Sequence, residues 1–390
     1  MDPYLRDVLD VCLLLLHVVA GIAWIGASFY FVRLDLSLRP PKSARDAEEG
    51  VAGEFWGVHG GGLYHSQKYR LAPPELPEPL HWFKWEAYTT WLSGFALMVV
   101  LYYFDADVRL IDPAVADLAT WEAVALSVGG LALAWVVYDV LCRTVGERSQ
   151  LALAILGLAL LAVAAWGAGE LFAPRAAYLQ VGAMLGTIMA ANVLFVIIPA
   201  HRKLVHAMKE RREPDAAPLL RANQRSVHNN YLTLPVLFTM LAGHFAFTFG
   251  ADEAWLVLVL LVVLTAYVRH FFNLWHTGRR AWWIPISAAM AVVALAVWLE
   301  PDGEPASGTP GRLDAGRAVF LSAGCGGCHQ LADAGTTGRV GPSLDRAKPS
   351  AELVVERVTN GKGAMPPFRG RLSGEQIEAV AAYVASMAGK

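Results

Sequence analysis

The chain has 390 residues and a mass of 42.3 kDa, with 55% hydrophobic and 17% charged residues and a mean hydropathy of +0.41. Soluble domains carry about 25% charged residues, so the composition excludes a wholly soluble protein as well as a disordered or collagen-like one. A formal net charge of -2 leaves no basic face for nucleic acid.

The opening MDPYLRDVLD mixes acids with one arginine and leads into an apolar run longer than a signal-peptide core. It predicts targeting by the first membrane helix and no cleaved leader. A helix needs about 20 mainly apolar residues to cross a ~30 Å hydrocarbon core. Eight stretches meet that condition: residues 11–32, 87–104, 123–141, 151–169, 178–200, 231–249, 255–275 and 281–299. They predict an all-α fold, an eight-helix transmembrane bundle over residues 1–300 with both ends on one side. Lys and Arg in the loops choose the side, because cytoplasmic loops carry the excess. The first, third, fifth and seventh connections with their helix ends hold eighteen such residues, against three (Arg6, Arg109, Arg175) at the N-terminus and in the other connections. Both termini are therefore expected in the periplasm, with the protein embedded in lipid as a multi-pass protein of a bacterial inner membrane.

Cys12 and Cys142 fall in or beside apolar runs and are expected to be inert buried thiols. His17 in helix 1 and His244 near the outer end of helix 6 read as lying at similar depths. Each suits a hydrogen bond to a neighbouring helix, and as a pair they suit the two axial positions of a haem b. Residues 54–95 carry His59, His65 and His81, three consecutive glycines, Lys68, Lys84, Glu86, Trp82, Phe83 and Trp85. This pattern fits a flexible turn with an interfacial aromatic belt, or a backbone cradle and stacking platform for a planar anion. NQRSVHNNY and RHFFNLWH place Arg225, His228, Asn229, Asn230, Arg269, His270, Asn273 and His276 at the same inner level. Arg269 and His270 lie inside an apolar run, which predicts a polar pocket.

Residues 301–312 are rich in Pro, Gly and acid and read as a linker, followed by a small domain at 313–390. There CGGCHQ sets Cys325, Cys328 and His329 in the C-x-x-C-H spacing of covalent haem c attachment. NGKGAMPP presents Met365 between Gly and Pro in an extended loop, and Ser373 caps a closing amphipathic helix. With these features the tail resembles a single-haem class I cytochrome c. That resemblance implies His329 and Met365 as the axial pair of the haem iron, a set suited to electron transfer.

HVVAGIAWIG in helix 1, HGGGLYHSQKY with LHWFKWEAYTTWLSGF, and SVHNNYLTLPVLF in helix 6 resemble the bacterial membrane-bound, cytochrome c-linked urate oxidases. The resemblance implies oxidation of urate to 5-hydroxyisourate in purine breakdown. Electrons would pass to the attached cytochrome and on to a soluble cytochrome or terminal oxidase, without peroxide. For such a substrate Arg225, Asn229, Asn230, Arg269 and Asn273 are the candidate binding residues, with Glu86 or His228 as the base. Two alternatives are a quinol-oxidising, cytochrome c-fused subunit of a respiratory complex and a transporter with an electron-linked sensor tail.

Overall fold

The computed structural model describes residues 3–70, 73–113, 115–210, 212–251, 253–300, 311–338, 340–362 and 365–390. Nearly all of the expected linker lies outside the described residues. Helix α1 (Pro3–Ser37) packs along α2 (Trp85–Met98), which continues as a π-helical segment, Val99–Tyr103. Then come α3 (Thr120–Thr144), α4 (Gln150–Leu171) and α5 (Pro174–Ala191). A π-helical segment, Asn192–Ile197, joins α5 to α6 (Ile198–Lys209). The wide turn sits just before Pro199, whose ring cannot donate to the preceding turn. Helices α7 (Ala216–Leu241), α8 (Ala254–His276) and α9 (Trp283–Trp298) complete this part. Ser149 and Asp215 cap α4 and α7 by accepting from the backbone N–H groups of Ala152 and Ala217.

Among the described residues five helices are long and apolar enough to cross a membrane: Val8–Ser37, Thr120–Thr144, Gln150–Leu171, Pro174–Lys209 and Ala254–His276. The other three expected spans are also helical but fall short for identifiable reasons. Helix α2 has 14 residues before it widens, α9 has 16, and the first half of the 26-residue α7 carries the polar run NQRSVHNN.

The span through α5 is the most buried of the five and forms the centre of the bundle. It has few charges to satisfy, so neutral hydrogen bonds hold it to its neighbours. Gln180 accepts from Ser127 Oγ and donates to the Ser127 carbonyl, both at 2.8 Å, while Tyr178 donates to the carbonyls of Thr248 and Ala254. Gly182 permits the closest approach, because a Cβ there would fall 2.3 Å from Thr239 Oγ1 on α7. Helices α1 and α4 turn rows of exposed Leu, Val and Ile outward, as lipid-facing helices do.

Three expectations need correction. The glycine stretch is a β-hairpin, β1 (Val51–His59) paired antiparallel with β2 (Gly62–Tyr69), and not a loop or cradle. Gly60 and Gly61, with φ of +56° and +80°, form its two-residue turn, a geometry that favours glycine at both positions. Cys12 is exposed on the outward side of α1, and only Cys142 is buried. His17 and His244 sit on unlike elements. Helix α1 begins at Pro3, so His17 lies well inside it, whereas α7 ends at Leu241 and His244 sits on an exposed 3-10 turn beyond.

In the tail, α10 (Arg312–Ser322), α11 (Ala351–Asn360) and α12 (Gly374–Met387) enclose Phe320, Leu331, Val354, Val380 and Tyr383. Gly316 lets α10 cross α12, since a Cβ there would lie 2.2 Å from the Ala379 carbonyl oxygen. Ser373 caps α12 as expected, in a reciprocal capping box with Gln376.

Candidate functional site

Asn229 and Asn230 follow one another on α7, so a step of about 100° points them at different neighbours. The expected polar pocket is therefore two clusters on either side of one helix. On the first side Arg225, 2% exposed, donates from Nη2 to Asp139 Oδ1 at 2.7 Å, and Arg143 Nε donates to Asp139 Oδ2 at 2.6 Å. The Arg225 guanidinium lies 4.8 Å over the Tyr138 ring. Its charge is thus already compensated by an α3 carboxylate.

Hydrogen-bond direction in this cluster is set by one backbone carbonyl. Asn229 Nδ2 donates to the Met189 carbonyl at 3.0 Å, which leaves Asn229 Oδ1 to accept from Asn192 Nδ2 at 3.0 Å. Asn192 Oδ1 consequently faces Arg225 Nη1, and its Nδ2 also donates to Tyr138 Oη at 3.1 Å. Tyr138 Oη, which accepts this bond, also lies 2.8 Å from His228 Nδ1, and the histidine tautomer sets which of the two donates. With Nδ1 accepting, the neutral His228 ring carries its proton on Nε2. In that tautomer the free edge of His228 is a donor, whereas with Nδ1–H donating to Tyr138 it is the acceptor that the expected base needs. The π-helical turn at Asn192 brings this fully buried amide into the network, a use often found for such turns.

On the other side Arg269, 3% exposed, donates from Nε to Asn230 Oδ1 at 2.7 Å, and Asn230 Nδ2 donates to Asn273 Oδ1 at 3.0 Å. The Arg269 guanidinium stacks 3.9 Å from the centre of the Phe29 ring on α1. Its Nη2 is buried without a hydrogen-bond partner, and no carboxylate pairs with it among the described residues. Beside it Tyr231 Oη and His270 Nδ1 are 2.7 Å apart.

The remaining expected residues are placed as follows. Glu86 is half-buried in the first turn of α2, and no hydrogen bond joins its carboxylate to either cluster among the described residues. His17 Nδ1 is 2.9 Å from the Thr90 carbonyl and 3.3 Å from Ser93 Oγ, over Gly94, whose lack of a side chain admits the ring. The turn bearing His244 packs on α5 and α7. His17 thus contacts α2, whereas the turn of His244 packs on α5 and α7, and no contact joins the two among the described residues. His65 Nε2 is 2.9 Å from Glu54 Oε2 and stacks on Trp56, serving the hairpin. Asp139, Tyr138, Asn192 and Phe29 are not among the residues expected from the sequence. Asp139 carried a readable signal, an acid inside the apolar run AWVVYDVLC. Phe29, one aromatic among many in α1, carried none.

In the tail, a 3-10 turn from Cys325 to Gly327 brings Cys325, half-buried, and Cys328, exposed, to its two ends. His329 Nδ1 lies 2.9 Å from the Pro342 carbonyl oxygen, which leaves Nε2 open for a metal. Gly341 lies against the imidazole, where a Cβ would come within 2.3 Å of Cε1. Met365 follows α11, with its backbone bridged to Lys362, and is half-buried against the core. These residues fit a covalent haem, which supplies one-electron transfer when bound.

Residues 3–300 match the family described as urate oxidase N-terminal. The chain belongs to that family. Residues 311–384 match the family described as cytochrome C oxidase, cbb3-type, subunit III. Among curated proteins, cytochrome c6 of Microcystis aeruginosa is 44% identical over 77 residues, which is 19% of this chain and 95% of that protein. Cytochrome c6 of Leptolyngbya boryana is 42% identical over 80 residues, 20% of this chain and 93% of that one. The c-type cytochrome SorU from Sinorhizobium meliloti, a solved structure, is 51% identical, covers 20% of this chain and 93% of its own, and has a TM-score of 0.20. This member of the urate oxidase family is thus a urate-related, all-α oxidoreductase with apolar helices fit to span a membrane and a cytochrome c domain that carries covalent haem c.

Proposed function

We propose that the chain oxidises urate to 5-hydroxyisourate within an eight-helix membrane domain at residues 1–300 and delivers the electrons to its own haem c at residues 313–390. The observation that carries the reading is Arg269, a buried cation with an unpartnered Nη2 and no carboxylate paired to it among the described residues. An uncompensated buried charge is costly unless an anion completes it. Urate is a planar monoanion, and a guanidinium edge suits its anionic rim. The Asn230 and Asn273 amides offer donors and acceptors for its carbonyl and N–H edges, and Phe29 lends an aromatic plane. Arg225 and Asn229, engaged with Asp139 and Met189, are the scaffold behind this site rather than its lining.

The oxidation adds water: urate and H2O give 5-hydroxyisourate, two protons and two electrons. Glu86 is the base assigned to accept a proton, with His228 taken in the tautomer whose open edge is a donor. The site lies toward the cytoplasm, the haem in the periplasm of the inner membrane, and a soluble cytochrome or terminal oxidase drains the haem. For the test, urate is mixed with purified protein and the haem c spectrum is followed. Arg269→Ala should lower the urate-driven rate by 100-fold or more while dithionite reduces the haem as in wild type. Retention of the wild-type rate in Arg269→Ala would refute the assignment.

A further inference from the structure

Helices α3 and α4 make few contacts with each other, and between them opens a cleft of about 1480 Å³ floored by α5, α7 and α8. Its wall on α3 runs from Trp121 to Leu141, which at 1.5 Å per residue is about 30 Å, the thickness of a hydrocarbon core. The lining is almost wholly apolar and flattened by Gly129 and Gly157, where an added Cβ would meet nothing within 4 Å. No Lys or Arg lines it, and its only carboxylates, Asp117 and Glu122, stand at the end opposite His228.

We propose that this cleft binds an isoprenoid quinone, whose head carbonyl accepts the Nε2–H of His228 and whose tail lies along α3 and α4. The site takes the His228 tautomer in which Tyr138 donates to Nδ1, so that Nε2 carries the proton, and a quinone carbonyl is an acceptor. A phospholipid fits less well. Tyr138 and His228 lie about six residues, or ~9 Å, inside the end of α3, and the nearest cations, Arg225 and Arg143, are engaged by Asp139 and do not line the cleft. A neutral carbonyl head on an apolar chain matches both facts.

The role rests on the urate reading and answers one of its needs: urate yields two electrons where haem c accepts one at a time. Urate at the Arg269 site and H2O give 5-hydroxyisourate, and the quinone in the cleft takes up the two electrons and two protons as quinol. The quinol then reduces two ferric haem c in turn and releases two protons, regenerating quinone. Tyr231 links the two sides of α7, lining the cleft while its hydroxyl meets His270 beside Arg269.

Binding is measured on the purified full-length protein without urate, by titrating a ubiquinone with a ten-carbon tail and by analysing lipids extracted from the protein. One saturable site is expected, weakened about tenfold or more in His228→Ala and restored in His228→Gln, whose amide N–H replaces Nε2–H. Gly157→Phe fills the cleft far from the polar network and should abolish binding in a folded protein. Recovery of phospholipid alone, absence of saturable quinone binding, or unchanged binding in Gly157→Phe overturns the site. Full-rate urate reduction of haem c in protein stripped of quinone overturns the relay. If urate reduces nothing while quinone still binds at His228, the substrate reading fails and the site stands.

Discussion

A single carboxylate, Asp139, decides which of the two buried arginines can meet an anion. It accepts from Arg225 and Arg143 together, so Arg225 is neutral in effect and Arg269 is not. Removing one partner of a buried pair leaves the other charge uncompensated, at about 3–5 kcal/mol. Asp139→Ala should therefore lower the thermal unfolding midpoint markedly, whereas an Asp139→Leu, Arg225→Met double variant should recover most of the loss. Equal stability of Asp139→Ala and wild type would show that the pair compensates nothing. Arg269 could be read from the sequence because it interrupts an apolar run. Its difference from Arg225 could not, because that depends on which residue of α3 faces each guanidinium.

At the level of elements, the β1–β2 hairpin is the largest departure from the all-helical expectation. Glycine triplets read equally as flexible loop or as turn, and only the pairing of Val58 with Leu63 and His59 with Gly62 resolves them. The hairpin is tied to the end of α1 by the Arg39–Glu54 bridge and by an ion pair between Lys68 and Asp35. His65 bonded to Glu54 holds the Glu54 carboxyl below its usual value. A depressed carboxylate contributes stability above its unfolded value of about 4.3 and loses it as the pH falls through the folded one. Amide-exchange protection of β1 and β2 should thus drop below about pH 4. In His65→Ala it should be weaker at neutral pH and less dependent on acid. Identical acid profiles for the two proteins would remove Glu54 and His65 as the anchor.

For the whole molecule, orientation is the property on which the proposed electron path depends. Eighteen basic residues on one set of loops against three on the other are the ground for proposing that the hairpin and the α7 polar run face the cytoplasm. Haem is attached to c-type cytochromes outside the cytoplasm, so the C-x-x-C-H motif leads independently to the same orientation. A reporter active only in the periplasm should be active when fused after Lys390 and silent when inserted after Lys203. The reverse pattern would move the Arg269 site to the outer face and remove the need for a relay across the bilayer.

The sequence by itself determined the membrane character, the two-part organisation and the haem-binding residues, because these depend on composition and on spacings along a few residues. Cys325, Cys328 and His329 are neighbours in the chain, and so their chemistry is local. It also singled out Arg225, Asn229, Asn230, Arg269 and Asn273, since polar groups in apolar helices are rare. What only the tertiary structure decided is how those groups are shared out. Asn229 bonds toward α5 while Asn230 bonds toward α8, a result of helical rotation and of which helices lie on each side. The orientation of the Asn229 amide follows from a Met189 carbonyl 40 residues away in the chain, and the cleft beside His228 from two helices that adjoin in sequence but stand apart in space. Both depend on contacts between distant segments, which no local pattern encodes.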